Sequence, residues 1–372
     1  MKKVHRIVIT GGPCGGKTTA LEKISKTFRE MGYQVILVNE TATELIHDGI
    51  RPFGDNKLEL LDFQRLVLDA QIKKEEIRNR AIEMSSNDNI IILYDRGILD
   101  NRAYLTPEEF KKIALEANIK EADIIPRYDL VLHLVTAADG AVEAYTLANN
   151  TARTESVEEA IRIDQKTIDS WTSHPNFRVI GNKTGFNEKI NRVINYIRDE
   201  VGEKEVIHEQ KYLVDINGID IARINNTHLV RQSITEFVTR YEYDENEMYR
   251  KTTIDGDSYY TCTVMSNLKD PFNRVTKYRV ITEEEYYDKL NNASFKPLEK
   301  IRYNFIYDKD RYRLDIYDYP SGLVILEKDI TEDSSKELPD FITPKKTITN
   351  DIEYYDASIF FKNNNKNKTY RI

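Results

Sequence analysis

The sequence predicts two domains of different class, an α/β domain followed by an antiparallel, β-rich α+β domain. First, the chain has 372 residues, about twice the length of a common domain. Second, residues 1–200 alternate short apolar runs with long segments of helical periodicity, which is typical of a parallel sheet covered by helices on both faces. Third, only six of the 23 tyrosines lie in residues 1–200. Because tyrosine favours strands, the remainder of the chain is predicted to be richer in strand.

The first domain, residues 1–200, is predicted from five apolar runs and the helical segments between them. The expected strands are Ile7–Thr10, Gln34–Asn39, Asn89–Tyr94, Tyr128–Val135 and Phe177–Ile180. The expected helices carry apolar residues at three- and four-residue spacing and are Lys17–Met31, Lys57–Met84, Val157–Trp171 and Phe186–Glu200. Strand, helix and strand repeated in this way imply parallel pairing.

The second domain, residues 205–360, follows a short polar hinge at Val201–Lys204. Its expected strands are Glu205–Val214, Ser233–Arg240, Tyr259–Ser266, Arg274–Ile281, Glu299–Tyr307, Tyr312–Tyr317, Leu323–Glu327 and Ile352–Ile359. Successive runs with alternating faces and turn residues between them predict an antiparallel sheet or barrel. Residues 361–372 form a low-complexity tail that is expected to fray.

Composition excludes several classes of protein. The chain has 40% hydrophobic and 31% charged residues, which is typical of a soluble globular protein, and no apolar run approaches the ~20 residues of a membrane span. The formal net charge of -8 argues against a protein that wraps nucleic acid. The two cysteines, Cys14 and Cys262, exclude a disulfide framework and a cysteine zinc site. A reducing, cytoplasmic location is therefore expected.

The segment Gly11–Thr18 matches the phosphate-loop pattern G-x-x-x-x-G-K-[ST] between a predicted strand and a predicted helix. Its backbone amides would face a β-phosphate, Lys17 would neutralise β- and γ-phosphate oxygens, and Thr18 would hold Mg²⁺. The alternative is a glycine-rich turn with a chance Lys-Thr pair. The predicted cofactors are Mg²⁺ and ATP or GTP, and the predicted nucleotide-binding residues here are Gly11, Gly12, Pro13, Cys14, Gly15, Gly16, Lys17, Thr18 and Thr19.

Polar residues follow two of the predicted strands. Asp95 ends an apolar strand, where a carboxylate can serve a Mg²⁺ ion; the alternative is a helix cap. The Asp95-Arg96 pair resembles nucleoside and nucleotide kinases, in which the arginine acts on the transferring phosphoryl group. In that class a carboxylate at the place of Glu40 faces the acceptor hydroxyl. Glu40 is therefore a candidate general base, with a surface helix cap as the alternative.

Two further loops and one helix supply candidates for the nucleotide or its acceptor. Arg153 lies between the fourth and fifth strands, where a lid arginine would close over the triphosphate; the alternative is a solvated charged helix. Asn182 follows the fifth strand in a loop expected beside the purine ring. Asn182-Lys183 is similar to the Asn-Lys of GTPases, but no Asp follows two residues later, so adenine and guanine both stay open. Gln64 could read a base or a sugar, or lie on a helix surface.

Basic residues at two-residue spacing recur in the second domain, and that spacing sends both side chains to one face of a strand. They are Lys211, Arg250, Lys277, Arg279, Lys300, Arg302 and Arg313. Because buried charges must be paired or bind an ion, a polar tunnel would explain them. The basic residues would hold phosphate oxygens, while Glu209, Glu327 and Asp329 would bind a divalent metal. The alternative is a one-sided sheet whose charges face solvent.

Residues 4–200 resemble the AAA-type P-loop ATPase family that is related to the nucleoside and nicotinamide riboside kinases. The pattern includes Gly11–Thr18, Asp95-Arg96-Gly97, Asn150-x-x-Arg153-x-Glu155, Asp164, Trp171, His174-Pro175 and Ile180-x-Asn182. Residues 205–360 resemble a CYTH domain, the triphosphate-tunnel fold. That pattern includes Glu209-x-Lys211, Gln232, Arg250, Lys300-x-Arg302, Leu314-Asp315, Leu326-Glu327-x-Asp329 and Ile348-Thr-Asn-Asp351.

This order of domains is similar to that of the TRPL translocation defect protein 14 family, whose members are described as binding GTP and phosphoinositide. The resemblance implies a nucleotide and a phosphorylated partner, either a phosphoinositide headgroup or polyphosphate. Two positions depart from the tunnel pattern: Ile207 stands where a third acid is expected, and Lys251 replaces a second arginine. The loss of one carboxylate favours binding of a phosphorylated ligand without its turnover.

Three functions follow from these residues. The first is a Mg²⁺-dependent nucleotide-binding protein that hydrolyses ATP or GTP, with a second domain that binds a phosphorylated ligand. The second is a small-molecule kinase related to nucleoside kinases. The third is a non-catalytic module in which nucleotide occupancy gates phosphoinositide capture.

Overall fold

The computed structural model describes residues 2–144, 156–202, 209–242, 245–266, 275–292, 296–331, 334–335 and 337–364. The chain divides into two compact units, residues 1–201 and 202–372. The predicted fold class is confirmed, because the first unit has a parallel sheet with helices and the second a separate antiparallel sheet. Among the described residues, no helix is both long enough and apolar enough to span a bilayer.

The first unit contains a five-stranded parallel sheet in the order β2-β3-β1-β4-β5. Its strands are β1 (Lys3–Thr10), β2 (Gln34–Val38), β3 (Asn89–Asp95), β4 (Leu130–Leu134) and β5 (Phe177–Ile180). Its helices are α1 (Lys17–Glu30), α2 (Thr41–His47), α3 (Leu60–Met84), α4 (Pro107–Glu116), α5 (Glu121–Ile124), α6 (Val157–Ser170) and α7 (Phe186–Glu200). Because the strands are parallel, the carboxyl ends of β1, β3 and β4 lie at the same edge of the sheet.

The core of this unit explains the long apolar runs in its sequence. All of β4 is buried, and so is the second half of β1, as expected of central strands covered on both faces. Helix α1 buries one apolar face on this sheet through Ala20, Leu21, Ile24 and Phe28, at the spacing of an amphipathic helix. The same packing fixes the amino terminus of α1 beside the carboxyl end of β1.

The second unit contains a nine-stranded antiparallel sheet in the order β10-β9-β8-β7-β11-β12-β13-β6-β14. Its strands are β6 (Glu209–Ile219), β7 (Leu229–Glu242), β8 (Glu245–Ile254), β9 (Asp257–Ser266), β10 (Val275–Ile281), β11 (Leu298–Tyr307), β12 (Asp310–Tyr317), β13 (Val324–Asp329) and β14 (Ile342–Thr347). Its helices are α8 (Ile221–Asn225), α9 (Glu283–Asn291) and α10 (Asp356–Asn364). In the strand pairing that the described residues show, β10 and β14 form the two edges.

Three parts of the second unit differ from the sequence-based prediction. The predicted strand Ile352–Ile359 is wrong, because Ile352–Tyr354 form a short 3₁₀ helix and α10 follows. Helix α10 buries Ile359, Phe360 and Phe361, so these apolar residues serve a helix rather than a strand. Strands β8 and β14 were not predicted. The predicted tail begins inside α10, and residues 365–372 lie outside the described part of the chain.

The two faces of the central strands β12 and β13 differ in chemistry. Tyr312, Leu314 and Leu326 belong to an apolar cluster on one face. Arg313 and Glu327 are cross-strand partners and project from the opposite face, since side chains alternate along a strand. The alternation thus gives one sheet an apolar face and a charged face.

Candidate functional site

The phosphate loop joins β1 to α1 and has the backbone geometry that its sequence predicts. Gly11, Cys14 and Gly16 have positive φ angles of 145°, 56° and 88°. Gly16 caps the amino terminus of α1 in the left-handed conformation, so the chain turns directly from the strand into the helix. The first backbone N–H groups of a helix have no intrahelical acceptor, and the helix dipole favours an anion there.

Close packing around the loop explains three of its glycines. A Cβ atom at Gly11 would lie 2.2 Å from the backbone oxygen of Leu134 in β4, and one at Gly15 would lie 2.5 Å from the same oxygen. At Gly16 a Cβ atom would lie 2.5 Å from the ring of Phe186 at the start of α7. The loop is therefore held tightly against β4 and α7.

Lys17 lies at the first position of α1 and is buried. Its Nζ donates to the backbone oxygens of Gly11 at 3.0 Å and Gly12 at 3.2 Å, which places the ammonium group inside the curve of the loop. Thr18 and Thr19 are exposed at the same helix terminus. These positions suit a lysine that neutralises phosphate oxygens and a threonine whose hydroxyl reaches a cation.

Asp95 ends β3 beside this loop. Its Oδ1 is buried and has no hydrogen-bond partner among the residues that the structure describes. Burial raises the pKa of Asp95 to about 6, against the attraction of Lys17. A buried carboxylate oxygen without a donor is an acceptor for a cation, and oxygen ligands are those that Mg²⁺ prefers. The residues present therefore fit the predicted Mg²⁺ ion, with Thr18 and Asp95 as its holders.

Glu40 and Arg96 form an ion pair at the carboxyl ends of β2 and β3. Arg96 Nε donates to Glu40 Oε1 at 2.5 Å, and Thr43 donates to the other oxygen at 2.8 Å. Burial works to raise the pKa of Glu40, but the charges of Arg96 and Lys17 outweigh it and lower that pKa to about 2. A carboxylate with so low a pKa is a weak base. The general-base role predicted for Glu40 thus needs a rearrangement of this ion pair.

A polar crevice lies next to Arg96, between the ends of β2 and β3 and the helix α3. Its lining includes Asn39, Thr41, Gln71, Glu75 and Tyr128. Gln71 accepts from Asn101 at 2.7 Å, and Glu75 accepts from Tyr128 at 2.6 Å. Sequence reasoning missed Glu75; the signal available was an acid on the buried face of a helix, with Val67, Leu68 and Ile82. Arg96 itself belongs to the lining of this crevice, whose amide, hydroxyl and carboxylate groups can hydrogen-bond a polar molecule.

Three other residues were predicted near the nucleotide or its acceptor, namely Asn182, Gln64 and Arg153. The side chain of Asn182 donates to the backbone oxygens of Thr136 at 2.8 Å and Asp139 at 2.7 Å, so it ties the loops after β4 and β5 together. Its contact with a base stays a prediction. Gln64 is buried, and its Oε1 has no hydrogen-bond partner among the described residues. Arg153 lies outside the described residues, and its lid role stays a prediction.

The second unit gathers charged side chains on one face of its sheet, here called the charged face. Strand register places Arg302 opposite Asp315, Arg313 opposite Glu327, and Glu327 opposite Lys211. Its cations are Lys211, Arg250, Lys300, Arg302, Arg311 and Arg313, and its carboxylates are Glu209, Glu236, Asp315, Glu327, Asp329 and Asp356.

Ion pairs connect this face into a network. Arg302 makes two hydrogen bonds with Asp315 at 2.6 and 2.7 Å. Lys300 is fully buried, with its Nζ 2.7 Å from Asp356, 3.0 Å from Glu236 and 3.1 Å from Asp315. Burial works to lower the pKa of Lys300, but these carboxylates outweigh it and raise that pKa. Lys300 is therefore protonated at neutral pH.

The three acids predicted to bind a metal converge on one arginine. Arg313 contacts Glu209 at 2.8 Å, Glu327 at 2.8 Å and Asp329 at 2.7 Å. Among the described residues, no group of three or more His, Cys, Asp or Glu is arranged to hold a metal ion. In this arrangement the three carboxylates bind a guanidinium group, and their role as metal ligands stays a prediction.

Two predicted tunnel residues, Arg279 and Lys277, lie on strand β10. Arg279 was expected on the charged face, but it pairs with Glu285 of α9 at 2.5 and 3.1 Å. Its side chain is 50% exposed, so this expectation is corrected. The reason is the strand register, which aligns Arg279 with Cys262 and Tyr249, whereas Arg250 holds the adjacent position and projects from the other face of the sheet. The side chain of Lys277 lies outside the described part of the structure.

Sequence reasoning missed Glu236 and Asp356 as members of the charged face. Glu236 lies opposite Arg250 in the register of β7 and β8, and the available signal was an acid between the apolar residues Ile234 and Val238 of the strand. Asp356 begins α10 and reaches Lys300, Arg250 and Tyr317. No local pattern marks Asp356, since it contacts residues 39 to 106 positions earlier in the chain.

Comparison with known protein families gives a match in the first unit. Residues 6–189 match a protein-family model described as an AAA domain. The first unit thus contains an AAA-type, P-loop-like domain, which is a class of nucleotide-binding domain. A search of curated proteins found no match to the chain.

Solved structures of other proteins show partial similarity. A structure described as the hypothetical protein NE1496 is 17% identical, covers 41% of this chain and 95% of that chain, and has a TM-score of 0.30. One described as the inorganic triphosphatase NE1496 is 16% identical, with coverage of 42% and 96% and a TM-score of 0.31. The PH1819 protein from Pyrococcus horikoshii OT3 is 16% identical, with coverage of 34% and 80% and a TM-score of 0.27. At these scores the similarity carries no information about activity.

Proposed function

We propose that the protein binds Mg²⁺-ATP or Mg²⁺-GTP at its phosphate loop and cleaves the terminal phosphate. The observation that carries the proposal is the buried Asp95 carboxylate, whose Oδ1 has no donor among the described residues, next to the Lys17 ammonium inside the curve of the loop. Backbone amides and Lys17 would bind the phosphates. When bound, Mg²⁺ would neutralise charge that develops on phosphate oxygens, with Thr18 and Asp95 as its protein ligands.

The residues around the loop would each have one task. Lys17 would exchange its contacts with the oxygens of Gly11 and Gly12 for phosphate oxygens. Arg96 would stabilise charge on the phosphoryl group, since its guanidinium is held at the edge of the site by Glu40. Arg153 would close over the triphosphate.

A kinase function is the second candidate, and the crevice beside Arg96 favours it. That crevice presents Asn39, Gln71 and Glu75, which can hydrogen-bond a polar acceptor. Phosphoryl transfer to such an acceptor, rather than to water, would make the protein a small-molecule kinase. Glu40 would then receive the acceptor proton after release from Arg96.

For the second unit we propose a binding role toward a phosphorylated ligand, either polyphosphate or a phosphoinositide headgroup. Its support is the number of buried guanidinium and ammonium groups on the charged face, which are the groups that bind phosphate oxygens. A non-catalytic module, in which nucleotide occupancy controls capture of this ligand, is the third candidate.

One experiment separates the candidates. The full chain is incubated with γ-labelled ATP or GTP, Mg²⁺ and a panel of nucleosides, and the label is followed over time. Inorganic phosphate as the product supports hydrolysis, label on an acceptor supports a kinase, and nucleotide retained unchanged supports the binding module. The variant Lys17→Ala should give none of these products; turnover at the unmutated rate by that variant would contradict the assignment of the loop.

A further inference from the structure

One carboxylate oxygen on α6 accepts hydrogen bonds both from the phosphate loop and from the end of β4. Asp164 Oδ1 accepts from the backbone N–H of Gly12 at 2.7 Å and from the backbone N–H of Thr136 at 3.0 Å. Nε2 of His133 lies 3.1 Å from the same oxygen. Three segments of the chain, namely the loop, strand β4 and the residues after β4, therefore converge on a single atom.

This carboxylate is buried and charged. Asp164 is 3% exposed and His133 is fully buried. Burial works to raise the pKa of Asp164, but His133 and the two backbone donors outweigh it and hold that pKa below its usual value. Hydrogen bonds to an ionised group are roughly twice as strong as neutral ones, so the Gly12 amide is held more firmly than an ordinary loop amide.

A second contact fixes the next residue of the loop. The Thr136 hydroxyl donates to the backbone oxygen of Pro13 at 2.5 Å, while the Thr136 amide donates to Asp164. Gly12 and Pro13 are thus attached to α6 and to the end of β4. These contacts fix the first part of the loop, Gly12 and Pro13. The backbone amides at the start of α1 do not take part in them and can bind an anion.

The close approach of Asp164 also accounts for a glycine. A Cβ atom at Gly12 would lie 2.5 Å from Asp164 Oδ1 and 2.9 Å from Asp164 Cβ. No side chain fits between the loop and α6 at these distances. Gly12 is therefore required by Asp164 and by the packing of α6.

We propose that Asp164 is a positioning residue, which sets the geometry of the phosphate loop for nucleotide binding without touching the nucleotide. The inference rests on the proposed function, because it assumes that the loop binds ATP or GTP. Asp164 would hold Gly12 in place, so that the loop does not have to be ordered when the nucleotide binds. Loss of the Asp164 carboxylate would weaken nucleotide binding by more than the accompanying loss of thermal stability accounts for.

The test compares Asp164→Ala with a matched control in the full chain. Asp129 also accepts a backbone N–H of β1, that of Arg6 at 2.7 Å, but in the middle of the strand and not in the phosphate loop. ATP and GTP are titrated in the presence of Mg²⁺ by calorimetry, and the thermal midpoint of each variant is measured by circular dichroism. Loss of a charge-assisted hydrogen bond corresponds to a weakening of about tenfold to a hundredfold for Asp164→Ala. Asp129→Ala should bind within about twofold of the unmutated protein.

The conservative variant distinguishes positioning from mere structural support. Asp164→Asn keeps an oxygen that can accept from Gly12 and Thr136, and it should restore affinity to within about fivefold of the unmutated chain. Affinity that falls equally in Asp164→Ala and Asp129→Ala, in proportion to lost thermal stability, would overturn the positioning role. Unmutated affinity in a folded Asp164→Ala would overturn it as well.

If Asp164→Ala does not fold, the variant Asp164→Glu provides a second test. Asp164→Glu retains the buried charge but moves its oxygens by one methylene toward Gly12, and it should weaken nucleotide binding by about tenfold. Unchanged affinity in a folded Asp164→Glu would contradict the inference. If the unmutated protein binds neither nucleotide, the proposed function itself fails; if it binds and the Asp164 variants bind equally well, only the role of Asp164 fails.

Discussion

The phosphate loop of the first unit and the charged face of the second unit would use different groups to receive phosphate. The loop relies on backbone amides and on Lys17, whose ammonium group contacts backbone oxygens of the loop itself. On the charged face, the cations Arg302 and Arg313 are already bonded to carboxylates. The first is a prepared anion site, whereas the second must exchange an internal anion for an external one.

The number of charges on the charged face supports this difference between the two regions. Its six cations are balanced by six carboxylates among the described side chains. Five of these carboxylates lie on strands of the sheet, and Asp356 alone lies on a helix, α10. A phosphate that binds to this face must compete with a carboxylate for a cation. Because Asp356 lies on α10, it can move away from its cations without a change in the strands of the sheet. Electrostatic attraction between charges in a low-dielectric environment makes this competition strong.

The largest expected effect is on stability, from the variant Lys300→Ala. This lysine is fully buried between Glu236, Asp315 and Asp356. Its loss removes one buried positive charge from the cluster, and only Arg250 and Arg302 then balance these three carboxylates. The free energy of unfolding of the second unit should fall by about 3–5 kcal/mol. Lys345→Ala, at an exposed ion pair with Asp215, should change it by less than about 0.5 kcal/mol.

The chain allows the two units to be followed separately in that experiment. Its one tryptophan, Trp171, is buried in the first unit, so tryptophan fluorescence during urea unfolding reports that unit. Hydrogen exchange of β11 and β12 reports the second. Lys300→Ala should accelerate exchange in these strands and leave the fluorescence transition unchanged. Equal protection in the variant would show that the buried network does not stabilise the sheet.

The next effect concerns Asp95, and it has opposite signs for stability and for binding. Because burial raises the pKa of Asp95 from 3.8 to about 6, its ionised form destabilises the folded unit at neutral pH. Asp95→Asn should therefore stabilise the first unit by about 1–2 kcal/mol above pH 6, and the gain should vanish below about pH 4, where both folded and unfolded chains bind the proton.

The same variant should lose the Mg²⁺ dependence of nucleotide binding. Trp171 fluorescence gives the stability, and calorimetry with and without Mg²⁺ gives the binding. Asp88→Asn, at the exposed residue just before β3, is the control and should change neither quantity. A variant Asp95→Asn that is less stable at pH 7 but more stable at pH 4 would reverse the expected sign and refute the assignment.

The smallest expected effect is a gain of affinity on the charged face. Asp356→Asn removes one of the six carboxylates, and tripolyphosphate should then bind about threefold to tenfold more tightly at low salt. The gain should shrink as ionic strength rises. Asp351→Asn, whose partner Lys346 is exposed, should show no gain. Equal binding by Asp356→Asn and the unmutated chain would mean that Asp356 does not compete with the ligand.

The comparison also shows what the sequence can and cannot predict. The loop was predictable because its backbone conformation depends on adjacent residues, including Gly16 and Lys17, between a recognisable strand and helix. The one-face placement of Arg302 and Arg313 was also predictable, because alternation along a strand is local. Which carboxylate meets each arginine depends on strand register, and register is set by pairing across many residues.

The other features that the sequence did not predict also depend on contacts between residues that are distant in the chain. Asp356 belongs to a segment whose alternating pattern predicted a strand, and only packing of Phe360 and Phe361 makes it a helix. Arg279 was placed correctly on a strand but its partner, Glu285, lies on the following helix. Asp164 is 152 positions from Gly12, so no local pattern could join them.

The central claim is that the turn between β1 and α1 binds a nucleoside triphosphate through its backbone amides and Lys17. Its most direct test is an equilibrium titration of the full chain with Mg²⁺-ATP and Mg²⁺-GTP, repeated with Lys17→Ala and with Lys23→Ala, an exposed lysine of the same helix. The account predicts saturable binding by the unmutated chain and by Lys23→Ala, and a loss of at least about a hundredfold in Lys17→Ala. Equal affinity in all three proteins, or no binding by any of them, would contradict it.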